Sequence, residues 1–201
     1  MTRLRTAVLI SGRGSNMQAI LHAANSMDYP AEPVLVLSNR PAAPGLETAA
    51  AAGIATGAVD HKQFGKDREA FEHAMQSLLE THKVEMIVLA GFMRILTPWF
   101  VNKWARRMIN IHPSLLPKYP GLDTHQRAID AGDREAGCSV HWVTEGVDEG
   151  DVIAQARVPI LPEDTAEILA QRVLLEEHQL YSRAVEMAAR DILTRKKPLS
   201  V

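Results

Sequence analysis

Short apolar, β-branched runs alternate along the whole chain with longer segments whose apolar residues recur every three to four positions. The strand-like runs are Thr6–Ile10, Pro33–Leu37, Thr56–Val59, Met86–Ala90, Met108–Ile111, Ser139–Thr144 and Val152–Pro159. Helical patterns fall between the first five, at about Ser15–Asn25, Gly45–Ala52, Lys66–Thr81 and Pro98–Trp104. That spacing is the signature of repeated βαβ units, so the pattern predicts a mainly parallel, doubly wound α/β sheet with helices on both faces. Only "EGVDEGD" separates the last two strands, too short for a crossover helix, so they are expected to pair antiparallel as an added C-terminal hairpin. A long closing helix follows. Asp164 with Glu167 reads as its capping box, and Ile168, Leu169, Val173, Leu175, Leu180 and Val185 form its apolar stripe, up to the basic "TRKKP".

Composition narrows the partners. The 201 residues are 46% hydrophobic and 23% charged, an ordinary make-up for one globular domain with a sizeable core. With a formal net charge of -2 and no long block of like charge, neither nucleic acid nor a membrane surface is an expected partner. The single cysteine, Cys138, has no mate for a disulfide or a thiolate metal site, which suits a reducing, cytoplasmic compartment. The apolar stretch of "MTRLRTAVLISG" ends at Ile10 in a Gly-rich turn, so neither a targeting segment nor a membrane span is expected. The eight histidines show no HExxH or comparable spacing, and no metal site is expected.

Four stretches carry candidate chemistry. "SGRGSN", residues 11 to 16, ends the first strand and opens the first helix, where glycines and free N–H groups can hold a phosphate. It lacks the Gly-Lys-Ser/Thr of a P-loop and, with Met17, the third glycine of a dinucleotide fingerprint; a monophosphate site and a purely structural turn both fit. In "INIHP", alternation along a strand points Asn110 and His112 to one face at its carboxyl end, where ligands bind in open α/β sheets. An amide and an imidazole there suit an oxyanion, or simply cap the strand. A carboxylate to hold the imidazole is available in "TEGVDEGD", where Glu145, Asp148, Glu149 and Asp151 are not distinguished by spacing. "LAGFMRILTPWFV", residues 89 to 101, reads as core or as the apolar wall of a ring pocket with Arg94 at its rim.

With these stretches in view, the sequence resembles the glycinamide ribonucleotide formyltransferase family, folate-dependent enzymes of purine synthesis. The likeness runs through "AVLISGRGSN", "SNRPAAPGLETAAAAGI", "VLAGFMRILTP", "INIHPSLLPKYPGLDTH", "SVHWVTEGVDEGDVIAQ" and "RVLLEEHQLY". The resemblance implies a Rossmann-like formyltransferase fold in one domain, 1–201. Its half 1–105 would bind phosphate, and 106–201 would carry the catalytic strand, folate loop and closing helix. It implies Asn110 and His112 as the groups acting on the formyl carbonyl, with Asp148 orienting the histidine and favouring its protonated form. It implies Gly14, Ser15, Asn16 and Glu177 as ribonucleotide contacts. The folate pocket would comprise Arg68 near the benzoylglutamate end, Met93, Arg94, Ile95, Leu96, Asn110, Val143 and Thr144. The implied co-substrate is 10-formyltetrahydrofolate, without a metal, and the implied assembly a monomer or homodimer. Two departures from the family pattern stand at Asp151, where proline is usual and a looser hairpin loop is expected, and at Asp123, where histidine is common.

The same catalytic core serves methionyl-tRNA formyltransferase and formyltetrahydrofolate deformylase. With strand one at Thr6 and the chain ending soon after its last helix, neither a tRNA domain nor a regulatory domain is expected. A noncatalytic nucleotide- or folate-binding protein on the same scaffold is the remaining alternative.

Overall fold

The computed structural model describes residues 2–196, and its centre is a seven-stranded sheet. The strands are β1 (Leu4–Ile10), β2 (Ala31–Ser38), β3 (Thr56–Ala58), β4 (Met86–Leu89), β5 (Met108–His112), β6 (Glu135–Trp142) and β7 (Val152–Pro159). Their spatial order is β3-β2-β1-β4-β5-β6-β7, parallel up to β5 and antiparallel beyond it. The helices are α1 (Ser15–Ala23), α2 (Pro44–Ala51), α3 (Arg68–Thr81), α4 (Pro98–Lys103), α5 (Thr124–Asp130) and α6 (Ala166–Lys196). The expected doubly wound sheet, antiparallel hairpin and closing helix are all present.

Burial explains the pattern. Met86, Ile87, Val88 and Leu89 fill β4 because both of its faces are covered, which removes any need for polar alternation. One face packs on α1, α2, α5 and α6 through Ile20, Ala49, Ala128, Val173 and Tyr181. The other packs on α3 and α4 through Phe71, Met75, Leu79, Phe100 and Val101. Edge strand β7 is covered less completely and carries Gln155 and Arg157 among its exposed or half-buried positions.

The structure departs from the pattern in places with identifiable causes. β6 begins at Glu135, four residues before the expected start, because Ala136, Gly137 and Cys138 are small enough for β7 to lie directly against them. It ends at Trp142, so Val143 and Thr144 belong to the following loop, where the Val143 amide donates to the Met108 carbonyl at 2.9 Å. His112 is itself within β5, paired with Ser139. Pro33 lies inside β2, beside a register shift between Thr6 and Ala7 that tolerates its missing N–H. α3 starts at Arg68, after Asp67 accepts a hydrogen bond from the Ala70 amide at 2.9 Å. α5 and a 3-10 turn at His61–Phe64 escaped the periodicity because each is short and mostly polar.

The capping box assigned to Asp164 and Glu167 is replaced by Thr165, whose hydroxyl accepts from the Ile168 amide at 3.3 Å. Asp164 instead accepts from Arg172 at 2.6 and 2.8 Å, a pair that holds its carboxyl at about 2. The buried stripe of α6 keeps Leu169, Val173, Leu180 and Val185, while Ile168 and Leu175 face solvent. Glu177 and Tyr181 take the inward positions, the Tyr181 hydroxyl donating to the Leu89 carbonyl at 2.7 Å. Lys197 and Pro198 of the basic tail lie outside the described residues.

Candidate active site

Strand connections leave β1 toward β2 on one side and β4 toward β5 on the other, so a crevice opens at the carboxyl ends of β1 and β4. The candidate residues gather along that edge.

Beside it, at the end of β5, His112 is fixed through both ring nitrogens. Nδ1 stands 3.2 Å from Asp148 Oδ2, and Nε2 stands 2.9 Å from the Tyr119 carbonyl. Both partners are acceptors, so a ring protonated on both nitrogens satisfies the site, whereas a neutral ring leaves one lone pair facing an oxygen. Asn110 Nδ2 lies 3.4 Å from Asp148 Oδ1. The predicted trio therefore meets at the Asp148 carboxylate, His112 Nδ1 on one oxygen and the Asn110 amide on the other, while the Nε2 edge anchors the ring.

The choice among four acids, open in the sequence, is resolved by direction. Glu145 bonds Asn102 at 2.8 Å, and Asp151 pairs with Arg106 at 3.0 Å, both at the surface. Glu149 is exposed and folds toward Gly146. Only Asp148 turns inward, on a left-handed backbone with φ 56° that Asp tolerates better than most residues. Burial alone raises its pKa; hydrogen bonding from His141, the Gly121 amide at 3.0 Å, and the charges of His112 and His141 outweigh that and lower it. The Asp151 departure costs no anchorage, since the Asp151 carbonyl accepts from the Trp142 amide at 3.0 Å. Asp123 takes a left-handed backbone ahead of α5 without capping it through its side chain.

His141 is a member of this cluster that sequence reasoning did not single out. Its Nδ1 stands 3.0 Å from the Trp142 carbonyl, and its Nε2 lies between Asn110 Nδ2 at 3.3 Å and Asp148 Oδ1 at 3.5 Å. Unprotonated there, it accepts from the amide; protonated, it donates to the carboxylate. Its place comes from cross-strand register, His141 pairing opposite Asn110 in the β5–β6 ladder.

At the other end of the cleft, Gly14 has φ 71° and precedes α1 with no side-chain cap, leaving the first N–H groups of the helix free. Ser15 and Asn16 form its first turn. Asn16 Nδ2 donates to Glu177 Oε2 at 2.6 Å, joining α1 to α6, and Asn16 Oδ1 is buried without a protein partner. Gly45, not among the expected site residues, backs this turn. A Cβ there would meet Ile10 Cδ1 at 2.5 Å and the Gly12 carbonyl at 2.9 Å.

Burial raises the pKa of Glu177, and the Asn16 hydrogen bond offsets this only in part. The folded state thus binds this proton more tightly than the unfolded chain. Glu177's contribution to stability is fullest below the ordinary carboxylate range and declines as pH rises through its raised folded value. Glu177→Gln removes that ionisation and can donate to the orphaned Asn16 oxygen. Its melting temperature is expected to exceed the parent's by a few degrees at neutral pH, with the gap closing toward about pH 4. Melts across that range check it; a variant no more stable at neutral pH contradicts it.

The folate-pocket candidates divide. Met93 and Ile95 are 62% and 65% exposed, which excludes the core reading for them, while Leu96 is half-buried against the α3–α4 side. Arg94 lies 5.9 Å from the Phe71 ring centroid, and exposed Arg68 stands three residues before Phe71 on the same side of α3. Val143 and exposed Thr144 lead into the loop that carries Asp148. Glu72, unremarked in the sequence, anchors the segment from below: it accepts the Thr97 amide at 2.7 Å and the Thr97 hydroxyl.

Comparison with known proteins bears on family and fold. The family model described as formyl transferase matches residues 4–185. The phosphoribosylglycinamide formyltransferase of Haemophilus influenzae is 46% identical over 182 residues, covering 90% of this chain and 85% of that protein. The trifunctional purine biosynthetic protein adenosine-3 of Drosophila pseudoobscura pseudoobscura is 50% identical over 195 residues, 96% of this chain, which spans only 14% of that longer protein. The crystal structure of phosphoribosylglycinamide formyltransferase from Brucella melitensis superposes with a TM-score of 0.89 at 49% identity, covering 100% of both chains.

Proposed function

This chain belongs to the formyl transferase family, and we propose that it moves the formyl group of 10-formyltetrahydrofolate to the amino group of glycinamide ribonucleotide. The observation that carries the reading is the meeting of Asn110 and His112 at the Asp148 carboxylate, next to a crevice with a phosphate-type turn at one end and exposed apolar side chains at the other.

The substrate amine attacks the formyl carbon, and the carbonyl oxygen becomes an oxyanion. The Asn110 amide and the positive charge of the His112 imidazolium stabilise the oxyanion, with Asp148 holding the ring in place. Collapse breaks the bond from the formyl carbon to N10, which takes a proton from His112; the proton on the attacking nitrogen restores the imidazolium. The products are the formylated amine and tetrahydrofolate, and the proton count balances. Holding both substrates in one cleft supplies much of the remaining acceleration. Gly14, Ser15, Asn16 and Glu177 hold the ribonucleotide in this reading. Met93, Ile95, Leu96, Val143 and Thr144 hold the pterin, with Arg68 and Arg94 toward the anionic tail. A cytoplasmic setting suits the lone thiol, since burial pushes the Cys138 pKa up to about 12 and leaves it unreactive at neutral pH.

A spectrophotometric assay tests the reading. Folate absorbance is expected to change when 10-formyltetrahydrofolate and glycinamide ribonucleotide are both present, and negligibly with water as the only acceptor. Rapid formyl release without the ribonucleotide identifies a deformylase; binding of both ligands without turnover identifies a noncatalytic scaffold.

A further inference from the structure

The "SNR" at the end of β2 completes a buried chain of hydrogen bonds across the carboxyl edge of the sheet. Ser11, immediately after β1, donates its hydroxyl to Asn39 Oδ1 at 2.5 Å and accepts the Met93 amide at 2.8 Å. Ser11 and Asn39 are 3% and 1% exposed, so water does not compete for these bonds. Asn39 is held in turn by His61, whose Nδ1 stands 2.8 Å from the Asn39 carbonyl. Four successive places on the sheet edge, after β3, β2, β1 and β4, are thereby linked.

The link bridges the switch-point crevice. Ser11 begins the turn that leads to Gly14, and Met93 opens the exposed segment that leads to Leu96. A backbone bond also crosses here, from the Ser11 amide to the Gly91 carbonyl at 3.1 Å. That bond ends at Gly91, whose φ of 75° makes it a natural pivot. The side-chain bond reaches two residues farther, past the pivot, and fixes where the apolar segment departs.

We propose that Ser11 is a positioning residue that makes ligand binding at the two ends of the cleft cooperative. The inference rests on the functional reading above, in which the turn holds the ribonucleotide and the segment holds the folate. A ligand that orders the turn holds the Ser11 hydroxyl in register, and through the Met93 amide it orders the segment before the second ligand arrives. Asn39 and His61 keep the hydroxyl from rotating to another acceptor.

Calorimetric titration of glycinamide ribonucleotide with and without saturating tetrahydrofolate, and the reverse, measures the coupling; the pair carries no formyl group and cannot react. In the native protein each ligand is expected to tighten the other by the same factor, about fivefold or more. In Ser11→Ala that factor falls to near one, while the ribonucleotide alone binds within about threefold of native. A general loss of stability would not move this ratio. Full coupling retained in Ser11→Ala overturns the proposal, as does a native factor of one with both ligands bound. Native protein that binds neither ligand sinks the functional reading itself, and the proposal with it. Should Ser11→Ala fold too poorly to titrate, Asn39→Leu keeps the volume and removes the acceptor. Loss of coupling in it supports the proposal, and retained coupling overturns it.

Discussion

In Asp148→Asn, turnover falls by about 10²–10⁴-fold, the range typical of lost general acid–base help, while the fold and the affinity for the ribonucleotide change little. The carboxamide that replaces the carboxylate has the same shape and still offers an oxygen to the Gly121 amide. What disappears is the negative charge 3.2 Å from His112 Nδ1. Without that charge the imidazolium loses the counter-ion that supports it, and with it the stabilisation of the oxyanion and the delivery of a proton. Glu149→Gln, one residue along but exposed, is the control and should be nearly silent. Turnover of both variants measured beside thermal melts decides the matter. A fully active Asp148→Asn, or a crippled Glu149→Gln, sinks the carboxylate assignment and the proton path drawn through it.

Gly14→Val weakens ribonucleotide binding by about 10²-fold, through backbone strain of order 1–3 kcal/mol and loss of close approach, and weakens folate binding far less. Two independent faults combine at this position. The backbone has φ 71°, which a β-branched residue adopts only under strain. A Cβ would also stand 3.2 Å from Met17 Cε, tighter than an ordinary contact, and valine adds two methyl groups beyond it. Relief of either fault shifts the turn and with it the free N–H groups of Ser15 and Asn16. Separate titrations of the two ligands check the asymmetry; equal losses for both mean that the turn is structural and the phosphate site lies elsewhere.

The parallel sheet was legible because central strands covered on both faces must be apolar throughout, and Met86–Leu89 is an unmistakable run of that kind. The long helix was legible in existence but less so in detail. Leu175 was read as inward because it is apolar, yet Glu177 and Tyr181 hold the inward positions. Burying a carboxylate contradicts composition-based expectation, and it makes sense only once Asn16 from the opposite end of the chain is seen beside it. Asn110 and His112 could be placed on one face by strand alternation alone. Asp148 could be named only through family resemblance, because its inward turn depends on a left-handed backbone that no periodicity reports. His141 was hidden for a different reason. Its role arises from cross-strand register, Asn110 opposite His141, and register between β5 and β6 is not written in either strand separately.

The bond between Asn16 and Glu177 joins residues 161 positions apart. A ribosome delivers α6 long after α1, so the end of the cleft proposed to take the ribonucleotide stays half-built over the synthesis of the residues between them. Closing so long a loop carries a large entropic cost, and it becomes favourable only after the intervening sheet has brought the two helices near each other. The Asn16–Glu177 junction is therefore a late product of folding. A partly folded chain can hold a native β1–β2–β4 layer and still lack the Glu177 side of the site proposed for the ribonucleotide.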